Sequence, residues 1–216
     1  MAISKKCIAY RSESVTLYQL KPAFQRLLQP LIRGCVHARI TPNQLTTLAL
    51  LLACVAGSLV IWAPLAWLLW VYPLLMLLRM ALNALDGMLA RQTNQQSSFG
   101  ALWNELADVL SDLVMVLPWL LRWPEYALPI LLFCVGALLV EFAGVLALSV
   151  NASRRFDGPF GKSDRALFAA LWVMAMALAA PAVLMTASLA IALLLMLMTV
   201  YNRLRHAYRE AQSTGC

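Results

Sequence analysis

The sequence predicts an all-α fold: a polytopic membrane helical bundle with six transmembrane helices, preceded by an amphipathic interfacial helix. The chain has 216 residues, of which 62% are hydrophobic and only 12% charged, which is too apolar for a soluble domain. Apolar stretches separated by short polar or proline-containing turns recur along it, and each approaches the roughly 20 residues that cross a bilayer. We expect residues 1–216 to form one membrane domain, with 1–40 as a cytoplasmic N-terminal segment and 41–205 as the six-span bundle.

The interfacial helix is predicted from periodicity. Apolar residues recur every three or four positions from Leu17 to Leu31, with basic residues between them, and the helix is expected to start near Pro22 and bend at Pro30. Such a pattern favours a helix that lies in the membrane interface with its cationic groups in water. The alternative is a helix packed on its own bundle.

The first span has a clear start, because Thr41 can cap a helix and Pro42 suits its first turn. Proline-containing turns and polar loops then divide the remaining apolar sequence. The expected spans cover approximately residues 43–62, 65–86, 100–121, 127–150, 166–180 and 183–202.

Charge placement predicts the orientation. Seven Lys and Arg residues precede the first span, four lie in the 151–165 segment and three follow the last span, whereas Arg122 stands on the opposite side. By the positive-inside rule both termini are cytoplasmic. The net charge of +7 fits a cationic membrane face, and the absence of a basic run with interleaved aromatic residues argues against nucleic-acid binding.

Amide and acidic side chains stand out within these apolar segments. Asn83 and Asp86 are three residues apart and share a helix face, and Asn104, Asp108 and Asp112 are four apart and also share one. Carboxylates in hydrocarbon need a cation, a partner or water. On two helices joined by a short loop the two sets can face each other, as oxygen ligands for a hard divalent cation such as Mg²⁺ or Mn²⁺.

The spacing in this stretch resembles the signature of the CDP-alcohol phosphatidyltransferases, D-x2-D-G-x2-A-R-x8-G-x3-D-x3-D. Asn83 and Asn104 stand where the signature has its first and third Asp. The match looks closest to a bacterial inner-membrane branch, and it does not identify the acceptor alcohol. The positions in register with the signature are Asp86, Gly87, Ala90, Arg91, Gly100 and Asp108.

The resemblance implies a transferase that uses CDP-diacylglycerol or another CDP-alcohol, an acceptor alcohol and Mg²⁺ or Mn²⁺, releases CMP, contacts membrane lipids and forms a homodimer. It implies that Asp108 is the general base. The implied metal ligands are Asn83, Asp86, Asn104 and Asp108, with Glu105 and Asp112 in support. The implied nucleotide-binding residues are Asn83, Asp86, Gly87, Ala90, Arg91 and Gly100.

The two asparagines weaken the metal site. An amide oxygen can coordinate a divalent ion but brings no negative charge, and Glu105 and Asp112 can restore part of what is missing. We therefore expect weaker divalent binding than in a relative with four Asp residues.

Two other functions compete with catalysis. A degenerate member of the family would bind nucleotide or lipid without turnover, and an ion-handling transporter would use the acidic face. Transport does not explain the spacing of Gly87, Ala90, Arg91 and Gly100, where small residues let a nucleotide approach the backbone. Helix packing alone could account for the glycines.

Lys162 and Arg165 are candidates for contact with a phosphate. Gly161-Lys162-Ser163 looks like the end of a P-loop, but Phe156 stands where its first glycine belongs and no strand precedes it. The helix start suits an anion such as a phosphorylated acceptor or a lipid phosphate. The alternative is that Lys162 and Arg165 only reflect positive-inside topology, with Ser163 as the cap of the helix.

Arg79 and Glu141 complete the candidate acceptor or phosphate site. Glu141 lies in the middle of a span, where it could pair with Arg79, line the acceptor pocket or stay protonated and packed. Arg79 shares a face with Asn83 and Asp86, so it could form an ion pair with the acidic residues or contact phosphate.

Overall fold

The computed structural model describes the backbone of residues 21–214 and the side chains of residues 27–213. All regular secondary structure in this part of the chain is helical, with short 3₁₀ turns at Pro124–Tyr126 and Ala147–Val150, and the longest non-helical connection covers residues 151–161. The α-helices are α1 Lys21–His37, α2 Pro42–Trp62, α3 Leu65–Gln92, α4 Ser98–Val116, α5 Trp119–Arg122, α6 Ala127–Leu146, α7 Lys162–Ala177 and α8 Ala182–Thr214.

The all-α prediction is confirmed. Within the described residues, four helical segments are long and apolar enough to cross a membrane: Pro42–Trp62, Leu65–Gln92, Pro124–Val150 and Ala182–Ser213. Helix α4 has 19 residues and carries three acids, and α7 has 16 residues. The count of six spans therefore stays a prediction.

Helix boundaries differ from the predicted spans where charges or proline intervene. Helix α4 ends at Val116 instead of near residue 121, because Pro118 has no N–H for a further helical hydrogen bond and the chain restarts as α5. Helix α7 starts at Lys162, four residues before the expected span, and α8 continues to Thr214. Hydropathy marks where apolar residues stop, whereas backbone hydrogen bonding continues into charged turns.

The predicted interfacial helix corresponds to α1, which starts at Lys21, beside the expected start at Pro22, whereas the apolar pattern from Leu17 to Leu20 lies outside the described residues. Helix α1 continues through Pro30. Leu27 and Leu31 are exposed, whereas Leu28 and Ile32 are buried. Helix α1 therefore packs on the bundle with one face, and its placement at the interface stays a prediction. The buried pair belongs to a cluster that includes Leu45, Leu85, Met88 and Leu89.

An aromatic cluster closes the end of α4 that is distant from its polar residues. Trp119 of α5 stacks on Trp172 of α7, with ring centroids 4.4 Å apart and planes 5° apart. Trp123 and Tyr126 approach the same Trp172 ring edge-on. These contacts anchor α7 beside the turn that follows α4.

The two helices that carry the motif are both packed on a third helix, α2. Among the described helices, the most extensive contacts pair α2 with α3, α2 with α4, α6 with α8, and α3 with α7. The pair of α3 and α4 is not in this group. Helix α2 thus lies against both motif helices, and the start of α7 contacts the acids of α4 through Lys162 and Arg165.

Gly57 permits the close crossing of α2 and α4. A Cβ atom at this position would overlap the carbonyl oxygen of Val114 and lie 3.1 Å from Pro118 Cγ. The obstacle is backbone, which cannot rotate aside as a side chain can. Small residues at such crossings let helix backbones approach each other in membrane proteins.

We expect Gly57→Ala to lower the melting temperature in detergent, measured by circular dichroism. Overpacking of this kind typically costs about 1–3 kcal/mol. Gly34→Ala is the matched control, because nothing lies within 4 Å of a Cβ built there. The control should leave the melting temperature unchanged or slightly higher; equal melting temperatures for the two variants would contradict the proposed crossing.

Candidate active site

Asp86 is held in place by the neighbouring helix. Its Oδ2 accepts a 2.8 Å hydrogen bond from Thr46 Oγ1 on α2, and its Oδ1 accepts one of 2.6 Å from Gly87 N. Asp86 is only 5% exposed. Thr46 lies one turn beyond the Thr41 cap of α2, so the start of α2 determines the orientation of this carboxylate.

Asp108 is ion-paired with Lys162, the first residue of α7. Asp86 also interacts electrostatically with both Lys162 and Asp108. Two carboxylates from α3 and α4 therefore share the field of one ammonium group. The structure brings together Asp86, Asp108 and Lys162, which the sequence had assigned to separate metal and phosphate roles.

The start of α7 is capped by Asp164. Its carboxylate accepts a 2.9 Å hydrogen bond from Gly161 N, whereas Ser163 is exposed. The alternative in which Ser163 caps this helix is therefore wrong. The cap helps to fix the backbone from which Lys162 extends.

Asn83 and Asn104 occupy the first and third positions of the motif, and both are partly buried. The buried Nδ2 of Asn83 has no hydrogen-bond partner in the described part of the chain. A partly buried amide without a protein partner is available to a ligand. Its oxygen could turn toward a cation, because the two ends of an amide side chain exchange by rotation.

The donor set fits a divalent ion by its chemistry. Within residues 27–213, no group of three or more His, Cys, Asp or Glu side chains is arranged to hold a metal. Asp86 and Asp108 nevertheless offer carboxylate oxygens, and Asn83 and Asn104 offer amide oxygens. Oxygen atoms are the ligands that Mg²⁺ and Mn²⁺ prefer.

Asp112 is committed to two arginines. Its Oδ1 accepts a 3.2 Å hydrogen bond from Arg79 Nη2, and its Oδ2 accepts bonds of 2.9 and 2.7 Å from Arg165 Nε and Nη2. The Arg79 and Arg165 side chains are 0% and 2% exposed. Of the two possibilities raised for Arg79, the structure contains the ion pair with an acidic residue.

Glu141 is paired, but not with Arg79. It accepts hydrogen bonds of 2.6 Å from Arg165 and 3.3 Å from Arg154, and Arg203 lies 3.8 Å away. Glu105 accepts a 2.5 Å bond from the same Arg154 Nη2. Glu105 therefore belongs to a network with the segment that follows α6 and is already paired with a cation in this structure.

The segment between α6 and α7 is tied to α8. Asp157 contacts His206 Nδ1 at 3.0 Å and accepts a 2.7 Å hydrogen bond from Arg155. Partial burial raises the pKa of Asp157, but hydrogen bonds from Arg155 and His206 outweigh burial and hold this pKa below its ordinary value. The contacts of Asp157 with Arg155 and His206 help to position the neighbouring Arg154 beside Glu105 and Glu141.

Sequence reasoning missed three polar contacts. Thr46 lay at the start of the first predicted span, but nothing in the pattern showed that it would contact Asp86. Arg154 and Arg203 were counted only as cytoplasmic charges. Their partners come from distant helices, so the available signal was the presence of unpaired acids within apolar helices.

The small residues of the motif have different surroundings. The nearest atom to a Cβ built on Gly87 is Arg91 Nη1 at 3.6 Å, so this face is open apart from the Arg91 side chain. A Cβ on Gly100 would meet Asn43 Oδ1 at 2.9 Å and Ser97 Oγ at 3.0 Å. Gly100 thus permits close packing of the start of α4 on the start of α2, whereas Gly87 leaves room for a ligand.

The chain is similar to known proteins in both sequence and fold. The family model of CDP-alcohol phosphatidyltransferase matches residues 39–201. The chain is 44% identical over 164 residues to "Inner membrane protein YnbA" of Escherichia coli (strain K12), a match that covers 76% of this chain and 82% of that protein.

The fold is similar to crystal structures of a Mycobacterium tuberculosis phosphatidylinositol phosphate synthase (PgsA1). The structure with CDP-DAG bound gives a TM-score of 0.69 at 16% identity and covers 85% of this chain and 94% of that one. The structure in complex with manganese and citrate gives 0.68 at 16% identity, with 83% and 88% covered. At such identity the likeness shows the fold, and the family follows from the match over residues 39–201: the chain belongs to the CDP-alcohol phosphatidyltransferases, a family of membrane enzymes.

Proposed function

We propose that this protein is a phospholipid-synthesising enzyme of the bacterial inner membrane. It transfers a phosphatidyl or related phospho-alcohol group from CDP-diacylglycerol or another CDP-alcohol to an acceptor hydroxyl and releases CMP. The observation that carries this proposal is the shared site of Asp86 and Asp108, two buried carboxylates on separate helices. The E. coli relative is named as an inner membrane protein, which supports the proposed location.

The proposed reaction is a substitution at phosphorus. The acceptor oxygen forms a bond to the alcohol-side phosphorus of the pyrophosphate, the bond from that phosphorus to CMP breaks, and the hydroxyl proton passes to an Asp108 carboxylate oxygen. General-base catalysis requires the carboxylate to lie within hydrogen-bond reach of the hydroxyl. Lys162 contacts Asp108, so its ammonium group lies beside the proposed base.

The proposed cofactor is Mg²⁺ or Mn²⁺, held by Asn83, Asp86, Asn104 and Asp108. When bound, it would supply positive charge to the phosphoryl oxygens and the leaving group. Thr46 keeps Asp86 oriented toward this site. The manganese complex of the M. tuberculosis synthase supports the choice of metal.

The proposed nucleotide-binding residues are Asn83, Asp86, Gly87, Ala90, Arg91 and Gly100. The open face beside Gly87 supports close approach of the CDP moiety to the α3 backbone. Arg91 is exposed at its edge and can turn toward a phosphate. Gly100 contributes indirectly, because it allows α4 to start close to α2.

The proposed acceptor or phosphate side comprises Lys162, Arg165, Arg79 and Glu141. Lys162 is 24% exposed and can reach a ligand directly. The buried Nη1 of Arg165, and Nε and Nη1 of Arg79, have no hydrogen-bond partner among the described residues. Glu141 pairs with Arg165 Nη2, and Arg165 Nη1 remains available to donate to an anion.

The orientation and assembly complete the proposal. Both termini lie in the cytoplasm, which presents the site to nucleotide and metal while lipid enters from the membrane. The large exposed apolar surface supports contact with lipid, for example at Trp67 and Trp70, which are 66% and 72% exposed. We also propose a homodimer, as the family resemblance implies.

Two observations favour a second candidate function. Asp108 is paired with Lys162, and two motif positions are neutral amides. A protein of this fold that binds a CDP-alcohol or lipid without turnover would tolerate both features. The CMP-release assay below separates it from the enzyme.

We expect Asp86→Asn and Asp108→Asn each to abolish CMP release by purified protein supplied with CDP-diacylglycerol, Mg²⁺ and a panel of alcohols. Each change removes one charge without changing shape, so the fold should survive. Glu125→Gln is the matched control, because this acid is exposed in the turn before α6. It should retain wild-type release.

Retained activity in both site variants would contradict the assigned site. A wild-type protein that binds CDP-diacylglycerol but releases no CMP with any alcohol would establish the binding function in place of the enzyme.

We expect CMP release by the wild-type protein to require a higher Mg²⁺ concentration than release by the double variant Asn83→Asp with Asn104→Asp. The two added carboxylates should lower the half-saturating Mg²⁺ concentration by about tenfold or more, because ligand charge tunes divalent affinity. The control is Gln95→Glu with Gln96→Glu, which adds the same charge in the exposed loop before α4. An equal shift in the control would assign the effect to general charge.

A further inference from the structure

We propose that Lys162 is an internal counter-cation at the metal site: its ammonium group occupies a cation position beside Asp108 and competes with the divalent ion for that carboxylate. The inference rests on the proposed function, because it concerns the metal held by the motif residues. It assigns to Lys162 a control over metal affinity that is separate from contact with a phosphate.

The placement of Lys162 carries the first step. Its Nζ contacts Asp108 Oδ1, and it interacts electrostatically with Asp86 and with Asp112. Three acids from two helices thus act on one ammonium group. Asp112 is already neutralised by Arg79 and Arg165, so Asp86 and Asp108 are the acids that Lys162 compensates.

The charge balance carries the second step. The signature with four Asp residues would bring a charge of −4, whereas this chain brings −2 from Asp86 and Asp108. Lys162 reduces that to −1. A protonated lysine has no lone pair with which to bind a metal. Its positive charge, in contact with Asp108, partly neutralises this carboxylate and repels a divalent ion that approaches it.

The anchoring of α7 carries the third step. Arg165, one turn after Lys162, bonds Asp112 on α4 and Glu141 on α6 and is 2% exposed. Asp164 caps the helix start through Gly161 N. These contacts hold the backbone of Lys162 beside Asp108. The fixed backbone keeps the ammonium group within reach of this carboxylate.

The side chain itself can leave. Among the described residues, Lys162 is 24% exposed and makes one ion pair, whereas the buried Arg165 makes two. A lysine carries its charge on a flexible stem of four carbons and rotates without loss of helix structure. When a divalent ion binds, the ammonium group would rotate away from Asp108 toward solvent. There it could form an ion pair with an anionic group of the substrate.

The test measures Mn²⁺ binding without substrate. Purified protein in detergent is titrated with Mn²⁺, and free Mn²⁺ is followed by electron paramagnetic resonance. Lys162→Met should bind Mn²⁺ about tenfold more tightly than wild type, in line with the effect of a charge in direct contact. Lys162→Gln, a second neutral variant, should do the same, and Lys162→Arg should stay near wild type.

Arg209→Met is the matched control, because it removes one exposed cation of α8 with the same change in net charge. It should leave Mn²⁺ affinity unchanged. Melting temperatures verify that each variant is folded.

Several outcomes would overturn the proposal: unchanged or weaker Mn²⁺ binding in both neutral variants, an equal gain in Arg209→Met, or no Mn²⁺ binding by any of the proteins. CMP release by wild type, measured in parallel, separates the two hypotheses. Metal-dependent release with no effect of Lys162 on affinity defeats the counter-cation alone, whereas absence of release defeats the proposed enzyme.

Discussion

The neutralisation of buried charge is the constraint on which this structure depends. Asp112 and Glu141 lie within apolar helices, and Arg165 joins them. Removal of one partner from such a buried pair typically costs about 3–5 kcal/mol, because the other charge is left without compensation. The same ion pairs that make these acids tolerable also fix the positions of α4, α6 and α7 relative to one another. A requirement of solvation thereby becomes a requirement of geometry.

Two helices outside the motif complete the site. The motif helices α3 and α4 both pack on α2, which contributes Thr46 beside Asp86, and α7 contributes Lys162 beside Asp108. Arg154, from the segment before α7, joins Glu105 to Glu141 and stacks over the ring of Phe156 at 4.3 Å. The site is therefore a product of the bundle as a whole, although its acids come from one hairpin.

Two motif positions that are Asp in the family signature are Asn in this chain, and this lowers the negative charge that the protein brings to the site. Asn83 and Asn104 keep oxygen atoms at two motif positions but remove their negative charge. Lys162 then supplies positive charge from within the chain. In the proposed function, a site with fewer carboxylates and its own ammonium group would need less metal charge to bind a pyrophosphate, and Lys162 would link the proposed metal ligands to the proposed acceptor side.

The sequence by itself determined the fold class, the candidate acids and their family, because hydropathy and the spacing of Asp86, Gly87 and Asp108 are local properties of the chain. It could not determine which cation each acid would meet. Glu141 pairs with Arg165 and Arg154 instead of Arg79, and Asp108 meets Lys162, 54 residues away. Such partners are chosen by how α6 and α7 pack against the motif helices, and the packing depends on the burial of many side chains at once. Only the tertiary structure could decide them, because several arginines of equal charge competed for the same few carboxylates.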